Sequence, residues 1–262
     1  MGGLVYNEIS KIVAQRRFFV VMALLTVIAI LSALTMRGFA GALGVTAAQM
    51  VSTGASGGFA QLLFPLLIAV IVGDIVAGEL TEGTLKLLLI RPVSRWKIWL
   101  SKLIAAFFVS VALVCYSALC IYVALGAASG FGSFSTPALA EGGSSYAVVT
   151  LRAYGLEMIS LLSVVSVFLL ISTVAENGVA AVGLCMGMTV ICSICMPILH
   201  FFSSTKWIEY TFFEQWQIAG QITNSFPLTG WTIGGSIAVL AAWIVICIAS
   251  GIAIFQWRDV KS

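Results

Sequence analysis

The sequence predicts an all-α, polytopic membrane protein with six transmembrane helices, an N-terminal interfacial helix and a short charged helix in the first loop. Three observations carry that expectation. Of 262 residues, 61% are hydrophobic and 9% are charged, and the mean hydropathy is +1.11, which leaves too little polar surface to cover a soluble globule. Six apolar runs approach the roughly 20 residues that a helix needs to cross a bilayer. The basic residues gather at the ends of those runs, so the net charge of +3 speaks for membrane boundaries and not for a nucleic-acid partner. No segment between the runs reaches the roughly 50 residues of an independent soluble domain, so 1–262 reads as one membrane domain.

Residues 1–17 set Val5, Ile9, Ile12 and Val13 on one helical stripe and Asn7, Glu8, Lys11 and Gln15 on the other, the pattern of a helix lying in the membrane surface. Arg16 and Arg17 then mark the membrane boundary. A signal peptide is disfavoured, because the basic region is long and no Ala-x-Ala pattern precedes Arg37. The apolar runs are Phe18 to Thr35, Phe59 to Val76, Leu103 to Leu125, Leu156 to Val174, Val179 to Leu199 and Ile233 to Phe255.

Span two carries Gln61 and Pro65, with Asp74 and Glu79 towards its end. A proline inside a span is expected to kink it and to free carbonyls that neighbours or water must satisfy. Span five carries Gly183 and Gly187, a G-x-x-x-G that lets a second helix come close. The Gly/Ser-rich pieces 52–58 and 127–145 read as outer loops, and Glu176-Asn177-Gly178 as a tight turn. The link 201–231 is rich in Trp, Tyr and Phe but too polar for a full span. It is expected to lie at the outer interface or to dip in as a re-entrant segment.

Ten basic residues (Lys11, Arg16, Arg17, five in the first loop, Arg258 and Lys261) fall on one side, against Arg37, Arg152 and Lys206 on the other. The excess of positive charge places both termini and the first loop in the cytoplasm, with the chain a multi-pass protein of the cell membrane.

The first loop, 78–102, is the longest charged stretch. Glu79, Glu82 and Lys86 share one helical face, Leu85, Leu88 and Leu89 another. This helix should stop at Arg91, before Pro92, and a second should start at Arg95 with Ser94 as its cap. The order Glu82, Gly83, Thr84, Pro92, Ser94, Arg95, Lys102 resembles the first cytoplasmic loop of type-2 ABC exporter permeases. In that family the loop is a coupling helix seated in a groove of a separate ATPase subunit, and the six-span layout extends the resemblance over the whole chain. The resemblance implies coupling roles for Glu79, Glu82, Gly83, Thr84, Pro92 and Arg95. The competing reading is a surface anchor that touches no partner.

The chain has no phosphate-cradling G-x-x-x-x-G-K-[ST] loop, so if ATP drives transport, ATP and Mg belong to an ATPase partner and this chain is no enzyme. No cofactor, metal or catalytic residue is expected in it. The six cysteines fall in apolar spans, and Cys192-x-x-Cys195 lacks further ligands, so packing is their expected role. The resemblance further implies two permease copies, or two related permeases, with two ATPases. Spans two and five would flank a central path, with Gln61, Pro65, Asp74, Gly183 and Gly187 as candidate lining. The aromatics Trp207, Phe212, Phe213 and Trp216 form either an outer gate or an anchoring belt.

The expected cargo is a hydrophobic or amphipathic compound, such as an antimicrobial or toxin peptide or a lipophilic drug, with sodium the main competitor. Two rival functions stand beside this one. One is an ion-coupled carrier using Asp74 and Glu157; the other is an intramembrane hydrolase built on Gly54-x-Ser56-x-Gly58 and His200.

Overall fold

The computed structural model describes residues 1–43, 46–54, 58–83, 94–136, 144–202, 210–216, 218–221 and 232–257. Among them there is no strand, and six helices are long and apolar enough to cross a membrane. The elements in order are α1 (Gly2–Ala14), α2 (Arg16–Leu43, span one), α3 (Ala47–Gly54), α4 (Gly58–Val72) with α5 (Ala77–Thr81, together span two), α6 (Arg95–Ser129, span three), α7 (Tyr146–Val174, span four), α8 (Gly178–Phe202, span five), α9 (Phe212–Gln215), a 3-10 turn (Ile218–Gln221) and α10 (Ile233–Trp257, span six). The protein is an all-α multi-pass membrane protein.

Span four is the most enclosed of the six. Spans two, three, five and six, α3 and the 3-10 turn all pack against it, while span one lies on span three and span two on span five. Its sequence suits that place: Ser160, Ser163, Ser166, Ser172 and Thr173 are buried among Leu161, Val164, Val165, Phe168 and Leu169. Small side chains let neighbouring helices come close. The Ser163, Ser166 and Thr173 hydroxyls donate to carbonyls three or four residues back, so they bring no unsatisfied donor into the interior. Phe19, Val20 and Leu34 of span one, Val179 and Leu184 of span five, and Val245 and Ile246 of span six are exposed large apolar side chains, as lipid-facing positions should be.

One expectation changes, at Ser94, and two other places gain detail. Pro65 sits inside α4 without ending it; the interruption of span two falls at 73–76. There the Val76 and Ala77 amides both donate to the Ser172 hydroxyl of span four at 3.1 Å, so a side chain from another span takes over donors that the interrupted helix leaves free. A Cβ on Gly183 or Gly187 would meet nothing within 4 Å, so no described segment of this chain lies against the G-x-x-x-G. The close approach of spans two and five is at Gly73, where a Cβ would come within 3.0 Å of the Val182 backbone. Finally, Ser94 occupies the position before α6 with extended backbone, yet its hydroxyl makes no capping bond.

Candidate functional site

At the end of the bundle where α1 lies and α10 finishes, charges are drawn inward. Lys102, in the third turn of α6, has no exposed surface, and its Nζ lies 2.8 Å from Glu8 Oε2 of α1 and 2.8 Å from Glu79 Oε1 of α5. Lys11 Nζ bridges the same two carboxylates from the rim, 3.2 Å from Glu8 and 3.0 Å from Glu79. Two lysines and two glutamates balance, which is what makes a buried cluster tolerable at a membrane boundary. Burial works to lower the Lys11 pKa, but the hydrogen bond and charge of Glu79, joined by Glu8, outweigh it and hold the ammonium above its ordinary range.

The face of α1 that turns inward differs from the one its pattern suggests. Glu8, placed by pattern on the wetted face, is 4% exposed. The inward stripe is Glu8 and Ile12, flanked by partly buried Val5 and Ile9, while Val13 is exposed. The helix is bound to the bundle through its charged residue as well as its apolar ones.

A second ion pair stands beside the first. Arg17, at the start of span one, reaches Asp74 at the break in span two at 2.5 Å. The Asp74 carboxylate fills the space beside Gly78 and Gly178, and a Cβ on Gly178 would overlap it. The Gly178 amide donates to Thr81 Oγ1 at 3.4 Å, which joins the turn between spans four and five to the exit of span two. On the far side of the loop, Trp99 Nε1 donates to Thr173 Oγ1 at 3.0 Å and its ring lies against Gly251 of span six. An Arg95 guanidinium nitrogen donates to the Gln256 carbonyl at 3.1 Å.

The first loop thus leaves the bundle at Glu79 and re-enters it at Arg95, Trp99 and Lys102, with each end fixed to several elements. Glu79 and Glu82 do not share a helical face: α5 ends at Thr81, Glu79 turns inward and Glu82 is exposed beyond it. Gly83 has φ +69°, a left-handed conformation suited to glycine at a helix end, and its amide donates to the Leu80 carbonyl at 3.2 Å. Thr84 and Pro92 lie outside the described residues.

At the opposite end, Phe212, Phe213 and Trp216 form an edge-to-face group with ring centroids 5.2 to 6.0 Å apart. Phe212 and Trp216 are buried. The segment is bonded to two spans: the Ser160 hydroxyl of span four donates to the Trp216 carbonyl, and Trp243 Nε1 of span six donates to the Tyr210 carbonyl at 3.1 Å. Trp207 lies outside the described residues, as do Ser56 and the side chains of Gln61 and His200. Among the described residues, no group of three or more His, Cys, Asp or Glu is placed to hold a metal ion.

Sequence comparison sets this geometry in a family. The family DUF2705, described as a protein of unknown function, matches residues 13–261. The chain belongs to the DUF2705 family. The DUF2705 match takes in Arg17, Asp74, Glu79 and Lys102 and begins after Glu8 and Lys11. Uncharacterized protein YhcI of Bacillus subtilis (strain 168) is 26% identical over 218 residues, which are 77% of this chain and 66% of the relative. The chain thus spans just under two thirds of that relative's length.

Proposed function

We propose that this DUF2705 protein is the membrane subunit of an ATP-driven exporter of the type-2 ABC kind, moving a hydrophobic or amphipathic compound out of the cytoplasm or inner leaflet by alternating access. The observation that carries the reading is the double anchorage of the first loop. Glu79 before it and Lys102 after it meet in one buried ion-pair network with α1. A loop held that way cannot be displaced without moving spans two and three, and those spans touch five, four and one. A partner that pushed on Glu82, Gly83, Thr84, Pro92 and Arg95 would be pushing on the bundle.

In this reading two copies of the chain, or two related permeases, sit in the cell membrane with two ATPase subunits that supply ATP and Mg, and both termini are cytoplasmic. ATP binding draws the ATPases together, and the loop passes that motion to the spans. The inward pairing of Glu79 gives it a positioning role, holding the loop, instead of a contact with the ATPase. Phe212, Phe213 and Trp216 suit an outer gate because they are wedged between spans that would have to part. Asp74 is engaged by Arg17, which disfavours it as the carrier of a coupled ion.

Co-expression with a candidate ATP-binding subunit, purification as a complex and reconstitution in liposomes test the proposal. ATP hydrolysis should rise with amphipathic peptides or lipophilic drugs, and Glu82→Lys should abolish that rise while the chain still inserts. Failure of any ATPase to co-purify, or stimulation by sodium alone, would overturn the partner or the cargo respectively.

A further inference from the structure

The two helices of span two are held in different ways. Packing holds α4, whose Phe64, Ile68, Ala69, Ile71 and Val72 lie in the main core. α5 is only five residues long, too short to stand as a helix alone. Its buried side chain, Ala77, sits with Ala175 and Ala181 in a small cluster apart from that core, and Leu80 is half-buried at the core's edge. Charge is what fixes α5, because Glu79 is tied to Lys102 of span three and to Lys11 of α1.

Between the two helices, residues 73–76 have the features of a joint. Ile75 and Val76 are buried in the core, so the place is a pivot and not a loose linker. In an unbroken helix the Val76 and Ala77 amides would go to the carbonyls four residues back, but here both go to the Ser172 hydroxyl. Two amides that share one side-chain oxygen can turn about it, so a bend at this point breaks no backbone bond of either helix. A second break, at Gln15, separates α1 from span one with extended backbone. One contact joins the two breaks: Arg17, just past the first, pairs with Asp74 in the second. The Arg17 side chain is 51% exposed, so water competes for it as it cannot for the enclosed Lys102.

We propose that span two is jointed at 73–76, that α5 turns there as one body with α1 and the inner end of span three, and that the Arg17–Asp74 pair is the latch that holds the joint closed. The joint does not rest on the export reading, because it belongs to the chain alone, without ATP or a partner. In that reading, a push on the first loop would reach span three directly and α4 only through the joint.

Amide hydrogen exchange of the purified full chain in phosphatidylcholine nanodiscs, read by mass spectrometry on peptides from α4, α5 and α7, tests the latch. Arg17→Gln should speed exchange across 77–82 by about fivefold, the top of the range for a part-exposed ion pair, and leave α4 and α7 at their wild-type rates. Asp74→Asn, which keeps the shape and removes the charge, should do the same, while Arg17→Lys should stay near wild type. An equal rise in α4 and α5 would overturn the proposal, since span two would then move as one rigid helix. A rise that also includes α7 would overturn it as well, because a pair that only stabilises the bundle gives that result. Unchanged exchange at 77–82 in both charge-removing variants would show that the pair latches nothing.

Discussion

Lys102 and Lys11 hold the same two carboxylates from different depths, and the difference should be measurable. Lys102 is fully enclosed, whereas the Lys11 side chain is 42% exposed. Lys102→Met leaves Glu8 and Glu79 facing each other with only the rim lysine between them, and should cost about 3 kcal/mol, the scale for breaking a buried pair. Lys11→Met should cost about 1 kcal/mol or less. Thermal unfolding in detergent checks the order, and equal losses would count against burial as the source of the effect. The raised pKa of Lys11 adds a pH signature. Stability that depends on its charge is complete below the ordinary value of 10.5 and is lost as pH rises through the raised one. The melting-temperature gap between wild type and Lys11→Met should therefore be constant through neutral pH and close on the alkaline side of 10.5. The charges themselves were visible in the sequence, but the role of Glu8 was not. Periodicity within α1 assigns it to the wetted face, because the lysine that draws it inward lies 94 residues away.

At the scale of elements, the interruption of span two depends on span four. Ser172→Ala would leave the Val76 and Ala77 amides without the hydroxyl they share, at a cost of about 1–3 kcal/mol for stranded buried donors. Ser172→Thr keeps the hydroxyl and should recover part of the loss in the same unfolding measurement. Span two alone points to Pro65 as the weak place. A proline forfeits one amide but keeps a helical φ, whereas at 73–76 three outside groups act together: Arg17 draws Asp74, Ser172 accepts from the amides, and Val182 demands a glycine. None of the three belongs to span two. The same applies to 210–216, whose aromatic composition does not say which spans hold it; the bonds from Ser160 and Trp243 name spans four and six.

For the whole molecule, the number and order of the six spans were legible, since a run of apolar side chains of bilayer length has few alternatives, but spans three and four begin at Arg95 and Tyr146, ahead of the runs from Leu103 and Leu156 that announce them. Sidedness rests on the ten-to-three basic asymmetry and can be measured directly. Single cysteines at Glu82 and Ser135, both exposed and at opposite ends, in a background without the six native cysteines, should respond differently to an impermeant thiol reagent on intact cells. Ser135→Cys should label at once and Glu82→Cys only after permeabilisation; the reverse pattern would invert the topology. Glu214 would be a poor reporter despite its place in the outer link, because it is buried. The link between Glu8 and Lys102 also bears on how the chain is made. Synthesis proceeds from the N-terminus, so α1 leaves the ribosome long before the lysine that seats it, and two spans must enter the bilayer in between. Until then Glu8 has only Lys11, one turn along its own helix, as a partner, so the first helix of the chain takes its seat only once span three has arrived.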